Sequence, residues 1–430
     1  MSNNKKTIYA DNSATTKVRD EVAEVMLTVL KEDYGNPSSI HQYGRKAKSC
    51  LEEARNNISS LLNSDEKQIL FTSGGTESNN LVIFGISKMW EEGAFKAKEK
   101  HIMTTKTEHP SIKEPLEYLE NKGWNITWLN VNNEGFIDLE ELKAKISSKT
   151  LLVSIIHANN EIGTIQDLKT ISKICKENNV FFHTDAVQSF GKLPFDLSTL
   201  NIDFMSISGH KIYGPKGTGV LYIKSINNLP PIFIGGGQER NLRSGTENLA
   251  GIVGFGTAAK LLNKEIIPNA QKLRKLQIEL MEKFSNLNNI LITGPGLEKV
   301  RQNIPIETFS FRLPGHISIC CKGIEGESLV LQLDLNGIAV SSGSACSSND
   351  SSDSKSVIRP SHVLQACDIP KDYIKGSLRI TLGKDNSKEE ILQIFETTHN
   401  IIENIRKKNA NSLRHCEETQ SADEAISERL

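Results

Sequence analysis

From about residue 67 onward, short apolar runs alternate with stretches of helical periodicity, and this rhythm constrains the fold more than anything else in the chain. Runs of strand length fall at 68–72, 102–105, 126–129, 151–156, 180–183, 204–207 and 220–223. Between them, 79–89, 112–121, 139–146 and 168–177 carry the spacing of amphipathic helices. Strands that alternate with helices predict an α/β fold, a mostly parallel sheet wrapped by helices. Ligands of such sheets bind beyond the carboxyl ends of the strands. The residues just after each run are therefore the candidates for function.

The rhythm changes near residue 260. A long charged helix over 260–284, strands at 290–293 and 308–311, and helices at 326–335 and 388–405 predict a smaller α+β domain. The expected division is a large domain over 17–260, and a small one from 1–16 with 261–408. A helix over 18–30 is expected to pack against the small domain. Residues 347–356 (SSNDSSDSKS) are polar and of low complexity, inside a loop 341–358 expected to be mobile. The charged stretch 409–430 reads as disordered or a frayed helix.

With 51 Lys+Arg against 52 Asp+Glu, the chain lacks the excess basic charge of a nucleic-acid or membrane-surface binder. No apolar run approaches the roughly 20 residues of a membrane span. Residues 1–8 have no apolar signal core, so a cytoplasmic protein is expected. The seven cysteines form no C-x-x-C pair and the ten histidines no H-E-x-x-H. That predicts neither a disulfide framework nor a metal site, but reduced thiols.

After the run at 204–207 comes Ser208-Gly209-His210-Lys211-Ile212-Tyr213-Gly214-Pro215. A lysine carried inward at a strand end loses solvation, and its neutral amine can form a Schiff base with an aldehyde. Pyridoxal 5'-phosphate (PLP) is the aldehyde cofactor held in this way. Earlier strand ends supply companions. Ser73-Gly74-Gly75-Thr76-Glu77 precedes a helix and suits an anion, although Thr76 as an ordinary helix cap fits the same letters. His109 follows 102–105 and suits ring stacking or proton transfer. Asn159-Asn160 follows 151–156 and suits either a turn or a cofactor oxygen. Asp185 follows 180–183, where a buried carboxylate needs a partner such as a pyridinium nitrogen. Two look-alikes fail on context. Gly254-Phe255-Gly256-Thr257-Ala258-Ala259 lies inside a helical pattern, and Gly214-Pro215-Lys216-Gly217-Thr218 lacks a following helix.

Taken together with Asp11-Asn12-Ser13-Ala14-Thr15-Thr16, Tyr34-Gly35-Asn36-Pro37, Arg243-Ser244-Gly245-Thr246-Glu247-Asn248 and Ser341-Ser342-Gly343-Ser344-Ala345-Cys346, these motifs strongly resemble the cysteine desulfurases. Those are class V aminotransferase-like, fold-type I PLP enzymes, and the resemblance spans roughly residues 7 to 406. It implies PLP on Lys211 and Asp185 at the pyridine nitrogen. It implies Gln188 and Asn160 at the ring oxygen, with Asn160 also near substrate, and His109 on the ring. Gly75, Thr76, Ser208 and His210 are implied at the phosphate. Thr246 is implied to reach the phosphate of a second subunit in a homodimer.

The resemblance further implies that Arg379 clamps the carboxylate of L-cysteine, a task suited to a bidentate guanidinium, although a buried ion pair would also explain an arginine in an apolar strand. Cys346, among Ser and Gly, is implied as the thiol that takes the substrate sulfur as a persulfide. Lys211 or His109 moves the α-proton, alanine leaves, and the sulfur passes to acceptor proteins such as an iron–sulfur scaffold or a tRNA-thiolation carrier. The alternatives are a selenocysteine lyase or other class V enzyme, and a non-catalytic sulfur-relay scaffold. Cys416 is expected to be incidental. The Ser/Asp-rich stretch makes the segment after Cys346 longer than in short-loop relatives.

Overall fold

A computed structural model describes residues 7–95, 97–225, 229–302, 311–343 and 360–427, with side chains as far as 409. The chain opens with a short strand, β1 (Ile8–Tyr9). Seven strands then build the main sheet: β2 (Ile69–Thr72), β3 (His101–Thr105), β4 (Asn125–Leu129), β5 (Leu152–Ser154), β6 (Phe181–Asp185), β7 (Phe204–Ser208) and β8 (Gly219–Ile223). Their order is β2-β8-β7-β6-β5-β3-β4. All neighbours run parallel except β8, which is antiparallel to both β2 and β7. Each strand predicted in this half is present, within a few residues of its expected ends.

The sheet is apolar on both faces because helices cover both. Leu168–Glu177 and Gln42–Leu62 bury Ile171, Ile174, Leu51 and Ile58 in one core with Val153, Phe182 and Met205. Gly75–Glu91 and Pro110–Glu120 bury Val82, Ile86, Ile112 and Leu116 in another with Leu152, Phe204 and Leu221. Strand residues one apart thus enter opposite cores, as the pleat requires.

A separate core joins Ile8 and Ala10 to residues far along the chain, among them Leu280, Ile319, Leu378 and Ile394. It is built on β9 (Ile290–Ile292), β10 (His316–Cys321) and β12 (Ser377–Thr381), in the antiparallel order β12-β10-β9. A short strand, β11 (Ile338–Ala339), pairs in parallel with β1.

Several expectations need correcting. The helix Asp20–Lys31 packs with Val22 and Val29 in the core of the main sheet, beside the helix Leu249–Leu262, and not on the second core. The single helix expected over 260–284 is two, Leu249–Leu262 and Ile266–Ser285. Pro268, in the first turn of the second, suits a helix start and would break an interior. Phe311 lies in no strand, and the rest of the strand expected at 308–311 is outside the described residues. β10 was not anticipated. The last helix runs over Lys388–Ser427, past the expected end at 405. Its Ala, Glu, Gln and Arg content favours helix even without an apolar stripe. Among the described residues no helix is long and apolar enough to cross a membrane.

Candidate active site

The carboxyl ends of β2, β6 and β7 open onto a cavity of about 350 Å³. Gly75, Thr76, His109, Asn160, Asp185, Gln188, Ser208, His210, Lys211 and Arg379 all line it. Ten residues singled out from sequence, spread over three hundred positions, are thus brought together. Thr246 is exposed on its loop and does not line the cavity of the single chain. Cys346 and the Ser/Asp-rich residues 347–356 lie outside the described residues, as does the side chain of Cys416.

Asp185 ends β6 and is buried. Its Oδ1 accepts from the Val187 N–H at 2.9 Å and its Oδ2 from Asn79 Nδ2 at 2.8 Å. Asn79 Nδ2 also donates to Ser111 Oγ at 2.8 Å. That hydroxyl must then give its own proton to His109 Nδ1, 2.8 Å away, and Nδ1 accepts from the Ser111 N–H as well. The network therefore assigns the His109 proton to Nε2. Burial, followed by the cations of Lys211 and His362, outweighs Asp185 and holds the imidazole below its usual pKa. His109 is a neutral ring in a fixed orientation at the mouth of its helix.

At the cradle end, the cap of the helix Gly75–Glu91 is Gly74, which offers no side chain. This corrects the reading of Thr76 as the cap: Thr76 is the second helical residue and faces the cavity. Gly74 has φ 157° and ψ −178°, a region open essentially to glycine alone. A Cβ on Gly75 would lie 2.6 Å from Val187 Cγ2. The first-turn N–H groups are thus left for an anion by a backbone no other residue could trace. His210 stands beside them. Burial first, then Lys211, Lys216 and Lys192, pushes its pKa down to about 4.

Lys211 follows β7 on the short turn Gly209–Lys211. Its Nζ donates to the carbonyls of Ser13 at 2.5 Å and Ala14 at 2.8 Å. Gln188 Nε2 donates to the same Ser13 carbonyl at 2.9 Å. The Asp11–Thr16 motif is thereby a strap across the site. Lys192, with no role anticipated from sequence, donates to Gln188 Oε1 at 3.3 Å and so fixes which end of that amide faces the cavity. Burial, with Lys211 and Arg379 adding, lowers its pKa to about 7.

The paired asparagines divide their duties. Asn159 makes the turn, since its Oδ1 accepts from the N–H groups of Glu161 and Ile162. Asn160 lines the cavity and its carbonyl accepts from Arg379 Nη1 at 3.1 Å. Arg379 Nη2 meets Asp11 Oδ1 at 3.0 Å, and its Nε makes no hydrogen bond. Of the two possibilities raised for this arginine the ion pair is present, to Asp11, and the residue also lines the cavity.

The Aminotransferase class-V family pattern matches residues 8–394. The cysteine desulfurase IscS of Dictyoglomus turgidum is 44% identical over 403 residues, 94% of this chain and 96% of that one. The chain belongs to the class V aminotransferase family, among its cysteine desulfurases. A solved NifS-like protein superposes with a TM-score of 0.81 at 36% identity, over 92% of this chain and 99% of the other. The structure of SspA in complex with cysteine gives 0.71 at 32%, over 87% and 99%. Enzymes of this family depend on PLP. The site fits that cofactor on its own terms. It offers a buried carboxylate for a pyridinium nitrogen, a side-chain-free helix start for a phosphate and a lysine amine between them. Asn79, Ser111, Lys192 and the strap carbonyls were missed as site residues. The strap lies within the Asp11–Thr16 motif, so its position was visible and only its partners were not.

Proposed function

We propose that this chain binds PLP on Lys211 and moves the sulfur of L-cysteine onto Cys346, releasing L-alanine. The observation that carries the reading is that Lys211 and Asp185 share one cavity with Arg379, reached from three different strands. PLP, when bound, withdraws electrons from the α-carbon of an attached amino acid. Asp185, steered by Asn79 and the Val187 N–H, is placed to hold a ring nitrogen protonated. Gly75, Thr76, Ser208 and His210 hold the phosphate. Gln188, held by Lys192, and Asn160 address the ring oxygen.

Arg379 accepts the substrate carboxylate on donors not used by Asp11 and Asn160. His109 carries its proton on Nε2, so proton removal from the α-carbon falls to the Lys211 amine. The Cys346 sulfur then bonds to the substrate sulfur as the carbon–sulfur bond breaks. The electron pair stays with carbon, which takes up a proton, and the thiol becomes a persulfide. An acceptor protein, an iron–sulfur scaffold or a tRNA-thiolation carrier, would collect that sulfur in the cytoplasm.

The reading extends to a homodimer in which Thr246 completes the partner's phosphate site. In support, Phe233 and Ile234 on the loop leading to Thr246 are 47% and 84% exposed, apolar surface that a second copy would cover. The test is to add L-cysteine to the purified yellow protein and assay alanine and sulfide together. Borohydride reduction and peptide mapping should find the cofactor on Lys211. C346S should stay yellow and lose turnover; full turnover by C346S would refute the role of that thiol.

A further inference from the structure

His316 opens β10 and is 2% exposed. It pairs with Thr381 of β12, and Ser318, two residues on, pairs with Arg379. Residues two apart share a face of a sheet, so His316 and Arg379 are diagonal neighbours on one face. There the ring meets the turn after β5. His316 Nε2 lies 3.2 Å from the Asn160 carbonyl, the oxygen that also accepts from Arg379 Nη1 at 3.1 Å. A carbonyl only accepts, so the imidazole proton is on Nε2. Nδ1 is buried and makes no hydrogen bond among the described residues. Gly163, at φ 76°, lets the ring come this close, since a Cβ there would fall 2.7 Å from Nδ1. The main chain of His316 is fixed as well, its carbonyl accepting from Gln277 Nε2 at 2.6 Å and from Arg312 Nε at 2.9 Å.

The charges around the ring keep it neutral. Burial first, then the Arg312 guanidinium, with Arg379 and Lys192 adding, outweighs the Asn160 carbonyl and holds its pKa well below the usual value. A lysine at this position would set a further cation against all three. The ring instead fills the second lone pair of the Asn160 carbonyl with a neutral donor. An apolar residue would avoid the buried, unpartnered Nδ1, which costs free energy. What the histidine adds is a direction for that carbonyl, and the carbonyl orients the Arg379 guanidinium together with Asp11 at 3.0 Å. We propose that His316 is a positioning residue for the substrate carboxylate: it holds the Asn160 carbonyl, which with Asp11 sets Arg379 at the cavity wall. The proposal rests on the reading of Arg379 as the group that grips that carboxylate.

The test uses the full-length holoenzyme. His316→Leu removes the donor, and His316→Gln returns a neutral N–H. Each is titrated with L-cysteine and with cysteamine, the same molecule without its carboxylate, reading cofactor absorbance on rapid mixing. Steady-state alanine formation and Tm are measured alongside. His316→Leu should bind L-cysteine roughly three- to tenfold more weakly, the worth of one lost neutral hydrogen bond, with KM raised in step and kcat changed less. Cysteamine should bind it as it binds the wild type, and His316→Gln should recover most of the L-cysteine affinity. Should His316→Leu not fold, the unbranched His316→Met carries the same comparison. A loss of L-cysteine affinity that spares cysteamine and is repaired in His316→Gln supports the proposal. Wild-type L-cysteine affinity in His316→Leu, an equal loss for cysteamine, or no repair in His316→Gln overturns it. An Arg379→Met control separates the two ideas. If that variant binds L-cysteine as the wild type does, the reading of Arg379 has failed and the proposal falls with it. If it loses L-cysteine binding while His316→Leu keeps it, only the positioning role is lost.

Discussion

Replacing Arg379 with lysine tests the substrate end of the site most directly. The arginine is 4% exposed, so neither residue could reach water for compensation. In the wild type one donor goes to the Asn160 carbonyl and one to Asp11, and on the proposed reading the remaining N–H groups would hold the substrate as a pair. A lysine has three donors on a single nitrogen. If two of them replace the bonds to Asn160 and Asp11, one is left, and the paired grip on a carboxylate is gone. A lost charge-assisted hydrogen bond is worth about 1.5–3 kcal/mol. That converts to a KM for L-cysteine raised roughly 10- to 150-fold, with kcat changed much less. Titration of cofactor absorbance with L-cysteine, together with steady-state alanine formation, measures both. Melting temperature checks that the Asp11 pair survives. An unchanged KM in R379K, with R379M losing only stability, would assign the arginine to the ion pair alone and refute its role in binding.

Three other outcomes follow from particular contacts. K211A should lose the borohydride-fixed cofactor adduct while its melting temperature without cofactor stays close to the wild type; a fixed adduct on another residue of the borohydride-treated wild type would redirect the assignment. Glu108 is fully buried, accepts from Thr105 Oγ1 and the Ile156 N–H, and is pushed up to about 8 by burial. The folded state therefore binds a proton that the unfolded state has released above its ordinary pKa of 4.5, so this group's contribution to stability is full below that pH and is lost as pH rises towards 8. Thermal melts should show E108Q gaining on the wild type between pH 5 and 8, and parallel curves would contradict the burial argument. Arg55 and Glu239 form a bidentate pair at 2.7 and 3.0 Å, both buried, and Glu239 opens three successive residues with positive φ, Glu239, Arg240 and Asn241. E239A leaves Arg55 with Glu52 and the Ile69 carbonyl only and takes the acceptor from the Phe71 N–H, so chemical denaturation should find a loss of about 1.5–3 kcal/mol, with weaker self-association if the loop carrying Thr246 forms the dimer contact.

Much of the site was legible because its parts sit at strand ends, and apolar runs of four or five residues announce a strand whatever they pair with. Lys211, Asp185, His109 and the Gly74–Gly75 pair were each located by that rule. Asn79 was not, since nothing in its helix distinguishes it from a surface residue until β6 lays Asp185 against it. Glu161 reads as one more turn residue, and only the approach of Ser361 from far along the chain gives its carboxylate a partner. β10, with His316 and paired cysteines, alternates too weakly to be seen before its neighbours flank it.

The linear order of residues therefore determined which groups the chain owns and where along each strand they stand, because periodicity and turn chemistry are local. Folding alone decided which amide orients which carboxylate, what holds the Gln188 amide and that Arg379 both pairs with Asp11 and lines the cavity. Those choices depend on burial and on hydrogen bonds between segments hundreds of residues apart, and no local pattern encodes a partner that only the packed sheet brings near.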